Sequence, residues 1–334
     1  MRHQAVQTFV LPGTGNELEL KQVDEKIGDE IKEGVLVEPS SSRVVPIRNF
    51  IPRFVDDSSY RMKFGWQWES FRQLQIDRIN GTTISSKRFY AGTGWSPEEL
   101  RGQRILEVGC GAGRFTQVML DAGAEVWSLD YSNVVDACWT NHGPHPNLTV
   151  VQGDVYAMPF KKGFFDKVFC FGVLQYTPDV KRAFMSLIDF IKPGGKIAVD
   201  VYRKEKWPSR WTSKYLWRPL TKRMPEELVF RIVKGYMPWW LPIDNKLENL
   251  PFIWRFTNLI RGIVPCWNYT GALPLPEKQI LEWAILDTFN SLSPKYDQPQ
   301  TMGDLRSWFD ESKLSDIEVR YGSNGIVGTA RRAA

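Results

Sequence analysis

The chain has 334 residues, 43% of them apolar and 24% charged, with a net charge of +5 and a pI near 8.9. These proportions describe a folded globular protein and exclude a largely disordered chain, while the basic excess is too weak by itself to mark a nucleic-acid binder. Four cysteines at 110, 138, 170 and 266 form no CxxC pair, which argues against a disulfide framework or a cysteine-held zinc site and fits a reducing cytosol.

The first twenty residues lack the apolar core of a signal peptide. From Leu18 to Val55, short apolar runs (GVLVEP, RVVPI, NFIPRFV) are punctuated by Pro39, Pro46 and Pro52, predicting short strands and turns over an N-terminal extension of residues 1–60. In WQWESFRQLQIDRI, the spacing of Trp68, Phe71, Leu74 and Ile79 predicts a helix that packs on the main domain, within a helical segment over 61–100.

Between residues 101 and 202, five β-rich runs (RILEVG, EVWSLD, LTVVQGD, KVFCFG and KIAVDVY) alternate with stretches of helical patterning. Strict alternation predicts parallel βαβ units and an α/β, doubly wound open sheet, whose ligand lies beyond the carboxyl ends of its strands. After Tyr202 the alternation stops. Residues 203–295 read as an insertion, and within 203–270 Lys and Arg exceed the acids and Trp207, Trp211, Trp217, Trp239, Trp240, Trp254 and Trp267 make up half the chain's fourteen tryptophans. The uncharged stretch Gly262 to Pro276 is broken by prolines and too short to span a membrane. A final helix (TMGDLRSWFDESK) and two strands (DIEVRYG, GIVGTARR) over 296–334 complete the sheet.

ILEVGCGAGRF reads as strand, glycine turn and helix start. Gly109, Gly111 and Gly113 let backbone approach a ligand, and the helix N-terminus offers free N–H groups. Two residues argue against a dinucleotide. The G-x-G-x-x-G fingerprint needs glycine where Arg114 stands, and Glu107 would repel a pyrophosphate but suits a ligand bearing an ammonium and a sulfonium. The second strand ends at Asp130, placed to accept from a ribose diol. The third ends at Gly153-Asp154-Val155, placed to take an adenine amino group and cover the ring.

These motifs (EVGCGAG, SLDYS, GDVYAMPF, FDKVFCFGVLQYTPD and KPGGKIAVDVY) resemble, in order, those of class I S-adenosylmethionine-dependent methyltransferases acting on small molecules. The resemblance implies a seven-stranded, mostly parallel Rossmann-like sheet with one antiparallel strand near its edge, and S-adenosyl-L-methionine as cofactor. It places Glu107, Gly109, Cys110, Gly111 and Gly113 at the methionine end and Asp130 and Tyr131 at the ribose, with Gly153, Asp154 and Val155 at the adenine and Phe171 beneath the pocket. GVLVEPSSSRVVPIRNFIPRFV resembles the small zinc-ribbon partner of tRNA methyltransferases, but VEPSSS stands where that pattern holds cysteines. It reads as a degenerate ribbon-like module, with no bound metal expected and with Val35, Val37, Val45, Ile47 and Phe54 making its apolar contacts. The flanks FGWQWESFRQLQID and SPKYDQPQTMGDLRSWF resemble those of bacterial methyltransferases of cell-surface saccharides.

Methyl transfer needs alignment, water exclusion and at most one proton acceptor. His3, His142 and His145 have no metal-ligand spacing. Asp200 is the candidate base. Tyr176 is expected to orient the acceptor beside Gln175 and Tyr202. The expected acceptor is an O or N atom of a small, saccharide or lipid-linked molecule. Alternatives are RNA methylation, against which FGVLQYTP replaces the NPPY-type tetrapeptide, and a cofactor-binding partner without activity. The insertion is expected to form a lid, and its basic, tryptophan-rich character allows a peripheral membrane contact by an otherwise cytoplasmic protein. On its FIWRFTNLIRGIV stretch, Phe252, Phe256, Leu259, Ile260 and Ile263 share one helical face, which would pack onto the core as an extra helix.

Overall fold

The computed structural model describes residues 1–55, 71–205, 212–248 and 254–334. Four antiparallel strands, β1 (Glu19–Ile27), β2 (Glu30–Val37), β3 (Val44–Arg48) and β4 (Ile51–Pro52), form the N-terminal sheet in sequential order. Its core face carries Leu36, Val45 and Ile47, while Val35 and Val37 are only half-buried. The sequence reading chose the wrong parity on β2. Alternation has period two, so Leu36 turns inward and both valines turn out.

At the tight turn where a ribbon would place cysteines, Glu38 instead accepts from Asn16 and from the backbone and hydroxyls of Ser40 and Ser41. Those donors hold its carboxyl down at about 2. Among the described residues no group of His, Cys, Asp or Glu could hold a metal ion.

The second sheet has seven strands: β5 (Arg104–Val108), β6 (Glu125–Asp130), β7 (Leu148–Gln152), β8 (Phe165–Cys170), β9 (Ile191–Val201), β10 (Ser315–Gly322) and β11 (Gly325–Arg331), in the order β10-β11-β9-β8-β5-β6-β7. Pairings from β7 to β9 are parallel, and β11 is antiparallel to both its neighbours. This is the expected doubly wound, mostly parallel sheet. The N-terminal sheet covers its β7 edge, where Phe54 N–H donates to Gln152 O and Arg53 pairs with Asp136 at 2.7 Å. A covered edge cannot pair with another chain.

Before the sheet lie α1 (Asp77–Asn80), α2 (Ile84–Thr93) and α3 (Pro97–Leu100). Trp68 lies outside the described residues. The rest of its predicted helix is broken: residues 72–75 form a turn ahead of the single turn of α1, and Ile79 is exposed. Phe71 and Leu74 pack on Trp283 and Leu286 of the insertion rather than on the main domain. Between the sheet strands run α4 (Arg114–Asp121), α5 (Val135–His142) and α6 (Val180–Ile188). The insertion folds as α7 (Lys214–Thr221), α8 (Glu226–Glu248), α9 (Trp254–Arg261) and α10 (Glu277–Leu292), before α11 (Met302–Glu311). Val229, Phe230, Val233, Met237 and Leu241 of α8 join Ile280, Ala284, Ile285 and Phe289 of α10 in a cluster of their own.

On α9 the expected packing is inverted. Phe252 and the side chain of Phe256 lie outside the described residues, but Leu259 and Ile263 are exposed while Thr257 and Arg261 are buried. The reason is a buried ion pair: Arg261 donates to Asp244 of α8 at 2.8 Å, and Asn268 donates to the same carboxylate at 2.9 Å. Lys214 and Arg218, which read as surface charge, are also buried, beside the side chain of Asp297.

Candidate active site

The β5 strand points Glu107 into the interior, where the side chain accepts from Thr116 Oγ1 at 2.5 Å and Ser128 Oγ at 2.7 Å, both through Oε2. Oε1 is buried without a hydrogen-bond partner among the described residues. Burial outweighs the two hydroxyls and lifts this carboxyl to about 7. The following turn lies where strand order reverses, between β6 and β8 on either side of β5. Gly109, Gly111 and Gly113 all have positive φ. A Cβ on Gly109 would lie 2.1 Å from Val173, and one on Gly113 would lie 2.4 Å from the His142 ring. Close packing of the protein on itself therefore already demands two of these glycines. His142 is the prop beneath the turn: its Nε2 meets Gly113 O at 2.9 Å, and burial lowers its pKa to about 4, which keeps it neutral.

Asp130 ties the turn to the second strand. Its carboxylate accepts from Gly111 N–H at 3.1 Å and from the backbone and hydroxyl of Ser132, and burial raises its pKa. Tyr131 beside it is half in solvent. Asp154 accepts from Tyr156 N–H at 2.9 Å, and Gly153 and Val155 on either side are buried. Cys110 is buried, its thiol directed at Gly111 O. Three acids thus stand at three adjacent strand ends behind one turn, as read from the sequence. Phe171 is different. Its ring packs on Phe169 and Phe115 and abuts Gly92 of α2, within a core cluster.

Asp200, the candidate base of the sequence, has both carboxylate oxygens engaged. Its carboxylate is buried, accepts from Arg88 Nη2 at 2.7 Å and also from Gly172 N–H. With both oxygens held in this way, Asp200 braces α2 against the backbone just past β8. Tyr176 donates to Tyr202 Oη at 3.0 Å, and burial pushes both phenols well above their ordinary range. Neither works as a base near neutrality. Gln175 is fully buried, with both side-chain amide atoms lacking a hydrogen-bond partner among the described residues. An orphaned buried amide is costly unless something fills its positions.

Facing these groups across the strand ends is α10. Asp287 accepts from Tyr269 Oη at 2.5 Å and Trp283 Nε1 at 3.0 Å, and burial raises its pKa despite those donors and the nearby Arg114. Arg114 lies over the Trp283 ring at 5.4 Å and the Phe115 ring at 5.2 Å, bonded through Nε to Ser85. Desolvation brings its pKa down to about 10. Sequence reasoning missed Arg88, Tyr269, Trp283 and Asp287. Nothing local marks them, because α2 and the insertion meet the strand ends only in the folded chain. Arg114 stood in view, but only as the residue that broke a fingerprint.

Residues 106–199 match the family model described as a methyltransferase domain. A demethylmenaquinone methyltransferase of Renibacterium salmoninarum is 33% identical over 98 residues, 29% of this chain and 40% of that protein. A ubiquinone biosynthesis O-methyltransferase of Coxiella burnetii is 30% identical over 100 residues (29% and 43%), and one of Xanthomonas oryzae pv. oryzae is 31% identical over 109 residues (32% and 46%). The chain thus spans less than half the length of these relatives. Among solved structures, the magnesium protoporphyrin IX methyltransferase of Synechocystis PCC 6803 with bound SAH aligns over 83% of this chain and 100% of its own, at 14% identity and a TM-score of 0.42. A chain of the complex between the Haloferax volcanii Trm112 methyltransferase activator and its methyltransferase aligns over 83% and 98%, at 11% identity and 0.45. The matched segment, from 106 to 199, holds the glycine turn and the three strand-end acids.

Proposed function

We propose that this chain is an S-adenosylmethionine-dependent methyltransferase acting on an O or N atom of a small or lipid-linked acceptor at the cytoplasmic side of the cell. The observation that carries this reading is the buried Glu107 carboxylate, with one oxygen unpaired, beneath a glycine turn at the switch point of the sheet. A buried acid with free acceptor capacity fits a cationic ligand, which restores the interaction that burial removed. Glu107 and the Gly109–Gly113 turn would hold the methionine end, Asp130 the ribose, and Asp154 with Val155 the adenine. Bound there, the cofactor supplies an electrophilic methyl group whose leaving group is a neutral thioether.

The remaining chemistry belongs to this chain. The insertion, as a lid, brings Asp287 and Trp283 over the strand ends and excludes water. The Tyr176–Tyr202 pair and the open Gln175 amide orient the acceptor. Asp287, whose proton affinity is raised by burial and whose carboxylate is held by Tyr269 and Trp283, takes the acceptor's proton in place of Asp200. The names of the relatives favour a quinone-related acceptor of this size class.

The test has two stages. Calorimetry with S-adenosylmethionine should show one site per chain, and binding of NAD without adenosyl-sulfonium binding would reject the reading. Labelled methyl uptake is then measured with quinol and polar-lipid acceptors for wild type and Asp287→Asn. The variant should keep cofactor affinity and lose transfer by roughly a hundredfold, whereas an unchanged rate would remove Asp287 from its role.

A further inference from the structure

Helix α8 is apolar on two separate faces, and the core covers only one. Val229, Val233, Met237 and Leu241 are buried against α10. Leu228, Ile232, Trp239 and Ile243 are exposed, Trp239 by 79%. At 3.6 residues per turn these four fall within about 60° of one another, so they form one stripe along four turns of the helix. A soluble helix normally places polar residues there. Leu259 on α9 and Ile263 just past its end are exposed as well.

We propose that this stripe docks in the plane of an anionic lipid bilayer. Charge selects that occupant. Lys246 falls on the stripe and Arg231 flanks it, with Lys222 and Arg223 exposed just before the helix, whereas among the acids Asp244 is buried, Glu248 is paired with Arg261 and Glu227 alone is exposed in the first turn away from the stripe. A two-fold contact between copies would bring these cations against themselves, while an anionic leaflet attracts them and accepts the tryptophan at its headgroup level. No helix among the described residues is long and apolar enough to cross a membrane, so the contact lies on the surface. Because the buried face of α8 packs on the helix that carries Trp283 and Asp287, the docked face and the strand-end site share one helix pair. A lipid-linked acceptor would then reach the site from the bilayer side. The docking itself does not depend on the methyl-transfer reading.

The full chain is sedimented with phosphatidylcholine vesicles containing or lacking phosphatidylglycerol, and its mass is followed by light scattering. Wild type should partition to the anionic vesicles at least about tenfold more strongly than to the neutral ones. Ile232→Ser with Trp239→Ser should lose roughly tenfold or more in binding, and Arg231→Gln with Lys246→Gln roughly thirtyfold. Both changes lie in exposed positions, and circular dichroism melting confirms that the variants fold. Equal partitioning of wild type and both variants overturns the proposal. So does a wild-type dimer that ignores vesicles and dissociates on the Ile232/Trp239 change, which would assign the stripe to self-association. Neither result touches adenosyl-ligand binding, which is read separately.

Discussion

Replacing Glu107 by glutamine isolates the electrostatics of the strand-end site. Burial lifts this carboxyl from an ordinary 4.5 to about 7, against two hydroxyl donors that pull it down. At about 1.4 kcal/mol for each tenfold change in proton affinity, ionising it costs the folded chain about 3 kcal/mol more than the unfolded one. The sign follows from proton counting. Between the unfolded and folded values the folded state binds more protons, so this group's contribution falls as pH rises through that window and levels off above about pH 7. Urea unfolding of ligand-free protein at about pH 5 and about pH 8 should therefore show a wild-type loss that Glu107→Gln largely lacks. The amide keeps the volume and one acceptor for Thr116 or Ser128, so packing differences stay small beside the charge effect. A cation bound near Glu107 should also drive proton release near neutrality, visible as a binding enthalpy that varies with the buffer. Identical pH slopes for the two proteins would refute the argument, whatever their absolute stabilities.

Two further perturbations test the scaffold around the site. Gly109→Ala puts a methyl group 2.1 Å from Val173 at a φ of +80°, and should cost about 2 kcal/mol or more. Val173→Ala in the same chain should recover only the steric part, and an unchanged melting temperature for Gly109→Ala alone would contradict the packing. Arg261→Met leaves the buried Asp244 carboxylate without its ion-pair partner and should cost about 3–5 kcal/mol. Asp244→Leu combined with Arg261→Met should lose less than the single change, and strict additivity in denaturant unfolding would argue against the pair.

The alternation of apolar strands with helical stretches from Arg104 to Val201 determined the sheet and the place of its candidate ligand site, because period-two and period-3.6 patterns are local properties of a chain. The same holds for Glu107, Asp130 and Asp154: strand ends follow from the pattern, and ligands in such a sheet gather beyond those ends. What the sequence could not decide was which groups meet across long distances in the chain. Asp200 sits at a strand end like the other acids, yet Arg88, more than a hundred residues earlier, takes up one of its oxygens. Asp287 carries no motif and becomes a candidate base only because the insertion folds back over the strand ends. Val35 and Val37 were assigned inward because either parity of a short strand looks plausible until a neighbouring sheet fixes one. On α9 an apolar face was expected inside, but pairing Arg261 with Asp244 turned it out. Burial competes among all faces of all elements at once, and only the folded chain settles that competition, since the free energy of a buried charge depends on the partner it finds there.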